Sequence, residues 1–175
     1  APQSPIHEWL YAVPAILFGL TTVFIVSKFV LPAALFFLVY ASVFVVVRRI
    51  EESDAVIVSI AAGLLVTLGF DFVHIGNVFG QLQGTVEPGL LVWTRMVNPI
   101  IGGLEVFLGL LLLLQLRAWK YAHVGLGAVA ALSVGYFFSY GMILALMGSF
   151  FLLALVQRDF LIAKRVVLAG ILSLF

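Results

Sequence analysis

The sequence predicts an all-α, polytopic transmembrane helical bundle with short loops, and three observations carry that prediction. Of the 175 residues, 64% are hydrophobic and only 10% are charged, with a mean hydropathy of +1.25. A soluble domain carries about a quarter charged residues, so too little polar surface is available to cover a water-facing globule. The apolar runs are continuous rather than alternating, which argues against a membrane barrel. They also suit a hydrocarbon core about 30 Å thick, which takes roughly 20 helical residues. The lipid bilayer is therefore the first expected partner, with the whole chain, 1–175, as one integral membrane domain.

The elements follow in chain order. "APQSPIHEWL" has no Lys or Arg and no clear small-residue cleavage site, so it reads as an interfacial tail rather than a signal peptide. Trp9 and Tyr11 suit the headgroup level. A first span is expected over 11–27 and a second over 30–47. The turn between them falls at "SKFVLP", where Lys28 supplies a charge and Pro32 opens the next helix. "RRIEESD" must be aqueous. A third span covers 55–80, "QLQGTVEPG" forms a loop, and a fourth span over 90–116 is closed by "RAWK". From Tyr121 to Val156 there is no Asp, Glu, Lys or Arg, a stretch too long for one span and just enough for two, 121–137 and 140–156. The fold-back is expected near "GYFFSYG", with Gly135, Ser139 and Gly141 weakening the helix. "QRDFLIAKR" reads as a loop or a short surface helix. A final run, 166–175, is short for a complete span. Seven spans are expected, with six as the alternative.

Charge sets the orientation. Segments 48–54, 116–123 and 157–165 hold seven of the nine basic residues, which places them, and the N-terminus with them, on the cytoplasmic side of a cell membrane. The loops 81–89 and 136–140 then face outward. No basic stripe marks a nucleic-acid partner. Cysteine is absent, which excludes disulfides, thiolate metal sites and thiol catalysis.

The candidate site lies on two helices. Thr67, Asp71, His74 and Asn77 are spaced i, i+4, i+7, i+10, one polar stripe on the third span. Arg95, Asn98, Gly102 and Glu105 make a second stripe on the fourth. Counting about 1.5 Å per residue from the outer ends, His74 matches Arg95 in depth and Asp71 matches Asn98. Consecutive helices on a short loop are usual neighbours, so Asp71 is expected to pair with Arg95. Glu105 lies deeper, and the spans hold no basic residue besides Arg95, which makes it a proton-carrier candidate. Pro99, Gly102 and Gly103 loosen the backbone at the site. The plain alternative is a structural Asp–Arg lock between two helices.

The chemistry expected of these residues is proton-linked. In a quinone-binding or redox-associated subunit, Asp71, His74 and Glu105 would handle protons. Arg95, Asn98, Asn77 and Trp93 would contact the ligand, Trp93 by stacking. Other membrane subunits would be its partners. His74 and Met96 also share a depth, a weaker signal for haem ligation. The same acids would serve a proton-coupled transporter or channel, and Asp71 with His74 a lipid-modifying enzyme. No metal-type spacing is present, and Ser149 in "MGSF" has no assignable histidine, so a serine-hydrolase reading is weak.

Overall fold

The computed structural model describes residues 13, 16–19, 21, 25–68, 97–135 and 137–174. Every regular element among them is helical: a π-helical turn at Val26–Val30, then α1 (Leu31–Val47), α2 (Ala55–Leu68), α3 (Val97–Leu114), α4 (Ala122–Ser133), α5 (Phe137–Val156) and α6 (Phe160–Leu172). The chain divides into two compact units, one of Ala15–Ile101 and one holding Gly102–Phe175.

In the first unit the expected reversal at "SKFVLP" does not occur. Residues 25–47 are helical without a break. Pro32 has no N–H, and its ring would clash with the carbonyl four residues back. The π turn absorbs this: Leu31 N–H reaches Val26 O, five residues away, and widens the backbone just before the proline. Helix α1 stops where the charges begin, with Arg48 N–H closing on Phe44 O at 3.0 Å and Glu51 N–H on Val47 O at 2.8 Å. Helix α2 then returns antiparallel. The two approach closely because Gly63 has no side chain, and a Cβ there would lie 2.7 Å from the Phe36 ring. Starting from that same ring, Phe36, Tyr40 and Phe44 stack along α1 at centroid distances of 6.5 and 5.7 Å, and the Arg48 guanidinium lies 5.8 Å from the Phe44 centroid.

The second unit packs α3 to α6 around Leu113, Leu116, Leu126, Ile143, Met147 and Ala169, all buried. Helices α3 and α5 run parallel with an offset of 34 residues: Glu105 meets Ser139, and one turn on Gly109 meets Ile143. The return helix α4 has 12 residues, about 18 Å of rise, so its exit turn stays well short of a bilayer's width. Helix α6 seats against α4 at Gly127, where a Cβ would lie 2.6 Å from Leu172 Cβ and 3.0 Å from the Ala169 carbonyl oxygen.

The α5–α6 corner uses three residues. Asp159 N–H bonds Ala154 O at 2.8 Å and Arg158 N–H bonds Leu155 O at 3.1 Å, the paired closure of a Schellman motif, with Arg158 at φ 57° in the left-handed position. The Asp159 carboxylate then accepts from Ile162 N–H at 3.1 Å and caps α6. Helix α6 therefore begins at Phe160, inside the segment expected to be a loop or a short surface helix, and runs on without a break into the run expected to start at 166.

The described residues bear out an all-helical chain, and their helix lengths leave the count of seven spans unconfirmed. Among the described residues one helix, Phe138–Val156, is long and apolar enough to cross a membrane, while Leu31–Val47, Ala55–Thr67, Ile100–Leu114 and Ala122–Ser133 are apolar but shorter. The expected third span continues past Leu68, outside the described residues, and about half of the first, at 11, 12, 14, 15, 20 and 22–24, lies outside them too. Large apolar side chains stay uncovered on several helices, with Phe37, Ile57, Phe138 and Leu152 each more than 60% exposed.

Candidate functional site

Glu105 is the proton-site candidate whose side chain the structure describes. It projects from the middle of α3, and the buried Ser139 hydroxyl donates to its Oε2 at 2.5 Å. Ser139 is 2% exposed. The parallel register makes this meeting possible. Gly109, one turn below Glu105, leaves room for Ile143 to lie at 3.4 Å from where a Cβ would stand, so the two helices come close there. Ser139 also lies in the first turn of α5, where backbone N–H groups have no intrahelical acceptor and the helix end carries partial positive charge. The serine hydroxyl can accept a second hydrogen bond while it donates to Glu105, so the pair is chemically suited to pass a proton.

Two placements read from the sequence cannot both hold. Glu105 was expected deep in its span and Ser139 on an outward-facing loop, yet the two side chains touch. The short α4 resolves the conflict. Its exit turn, at Val134 and Gly135, lies level with the middle of α3 rather than at the far end of a full span.

The remaining predicted residues are placed as follows. Thr67, first in the α2 stripe, is buried, and its hydroxyl returns to Gly63 O at 2.7 Å. Asp71, His74, Asn77, Trp93, Arg95 and Met96 lie outside the described residues. Asn98 falls in the first turn of α3, with its side chain outside them as well. The structure thus leaves the Asp71–Arg95 pairing and the His74–Met96 haem reading without a test. Ser149 bonds Ala145 O within its own helix at 2.8 Å, an ordinary way to satisfy a hydroxyl among apolar neighbours. Among the described residues no group of three His, Asp or Glu could hold a metal ion.

No family model, curated protein or solved structure matches this chain. Function is therefore argued from its own residues.

Sequence reasoning missed three residues. Ser139 was read as a helix-weakening residue at an outward-facing fold-back. Arg165 was counted as a loop charge, but its guanidinium donates from α6 to Leu116 O, and to Trp119 O at 3.5 Å, closing the end of α3. Asp159 carried a legible signal, an N-cap residue directly before the apolar "FLI".

Proposed function

We propose that the protein is an integral membrane protein with a proton-handling site, serving as a quinone-binding or redox-associated subunit of a larger membrane complex. One observation carries the proton reading: a carboxyl group on α3 hydrogen-bonded by a buried hydroxyl on the parallel helix α5, within a largely apolar set of helices. An ionisable side chain at the centre of a spanning helix costs about 2.5 to 3.5 kcal/mol. Its presence there is best accounted for by use, and a carboxyl–hydroxyl contact is a unit from which a proton path is built. The exposed apolar faces and the candidate span Phe138–Val156 support the membrane setting. The quinone assignment rests on the chemistry expected of Asp71, His74 and Arg95: an acid, a ring donor and a fixed positive charge on consecutive helices.

The test is the solvent extract of gently purified protein, with an oxidised-minus-reduced optical spectrum of the same sample. Stoichiometric quinone is expected, together with loss of proton-coupled turnover in Glu105→Gln. A quinone-free, spectrally silent protein that still moves protons in liposomes in a Glu105-dependent way would replace the redox reading with proton-coupled transport.

A further inference from the structure

The turn between α3 and α4 is set back from the end of the second unit, and two independent counts agree on the distance. In the parallel register of α3 and α5, Leu116 is level with residue 150, so α5 runs on for six more residues, about 9 Å. On α6, Arg165, which holds Leu116 O and Trp119 O, stands six residues from Asp159, again about 9 Å. The α5–α6 corner therefore projects past a recess floored by residues 115–121.

The recess is basic. Arg117 and Lys120 are exposed on its floor, and the Lys120 ammonium lies 4.7 Å from the Tyr121 ring centroid. Arg165 brings α6 onto the same turn, which places the exposed Lys164 at its side. No acid occurs in 115–123 or 160–167. The nearest carboxylate in sequence, Asp159, is turned into the N-terminus of α6. The α1–α2 turn differs: its two arginines stand with Glu51, Glu52 and Asp54, and Arg48 bonds Glu52 at 3.2 Å. Around the recess, Trp119 and Tyr121 are exposed amphipathic rings, while Val156, Phe160 and Leu161 are exposed apolar residues on the projecting corner.

We propose that this recess binds the phosphate of an anionic phospholipid. The proposal rests on the membrane reading above. With α5 crossing the hydrocarbon layer, the projecting corner reaches the headgroup plane and the recess lies beneath it. Long Arg and Lys side chains reach upward from such a position to a phosphate. Trp119 and Tyr121 are rings of the kind that anchor at this interface. Zwitterionic lipid lacks the net negative charge selected by these cations, which have no acidic partner among the described residues.

The test is a thermal melt of the full chain in a neutral detergent, with phosphatidylglycerol, phosphatidylcholine or inorganic phosphate added at equal phosphorus. A carbonate wash of the source membranes accompanies it. Phosphatidylglycerol is expected to raise the Tm by about 5 °C over phosphatidylcholine, as a ligand binding the folded state well above its Kd does. The exposed-site variant R117Q/K120Q/K164Q should lose that difference while melting as the parent does without lipid. R48Q/R49Q, on the charge-balanced turn, should keep it. Equal shifts with the two lipids, an equal shift with inorganic phosphate, or equal loss in both variants would overturn the phospholipid site. Release of the chain by carbonate would overturn the membrane reading, and the site with it.

Discussion

In α1 and α2, Ser42, Ser59 and Thr67 each return a hydroxyl to the carbonyl four residues earlier, at 2.8, 2.5 and 2.7 Å. The close approach of the pair is apolar, Phe36 over Gly63. In α3 to α6 the telling polar bonds cross between elements instead. Glu105 and Ser139 are 34 residues apart, Arg165 and Leu116 are 49 apart, and Asp159 joins two helices through one residue. In the first pair a ring seated over a glycine makes the close contact. Directional bonds fix the second set, because a shift of one turn would strand a guanidinium and a carboxyl. Precise placement is found where the chemistry is proposed.

The widest gap between the two regions should come from Arg165→Ala. Losing a charged donor from two carbonyls of the turn after α3 should destabilise the second unit by about 2 kcal/mol, read as a lowered midpoint on denaturant unfolding in micelles. An unchanged midpoint would make the closure of α3 incidental. Paired glycine substitutions come next. Gly127→Ala meets Leu172 Cβ and a backbone oxygen, neither of which can yield, and should cost about 1 kcal/mol after the gain in helix propensity. Gly63→Ala meets the edge of a ring that can swing, and should fall within about 0.5 kcal/mol of the parent. Equal costs would mean that α1 and α2 are packed as rigidly as α4 and α6. Arg158→Gly should stabilise by about 0.5 kcal/mol, since glycine accepts the left-handed conformation without a Cβ clash; a rise of the Tm by a degree or two would register it. Least of all, Glu52→Ala should change stability by about 0.3 kcal/mol, because its ion pair with Arg48 is solvent-exposed.

Much of this was legible in the sequence. Continuous apolar runs gave helices, and the charges of "RRIEESD" and "RAWK" marked where α1 and α3 stop. "GYFFSYG" marked the break before α5, at Val134 and Gly135. Other features depend on information that no local pattern carries. Pro32 ordinarily signals a helix start, but the π turn carries the helix through it. Lys164 and Arg165 look like loop charges until the α3 carbonyls that Arg165 serves are known. Ser139 could not be matched to Glu105, because a register between helices is set by packing and by the length of α4, not by distance from the end of a run. Glu105 was singled out from charge and depth, but the hydroxyl that bonds it was not.

The α5–α6 corner also fixes rotation. Since Asp159 both ends one helix and starts the next, no residue is left over to adjust the angle. Adding one amino acid there would turn α6 by about 100°. Arg165 would leave the α3 carbonyls and Ala169 and Leu172 would leave Gly127 in a single step. Length changes that the loops elsewhere absorb should therefore be rejected at this corner, which works as the keyed joint of the second unit.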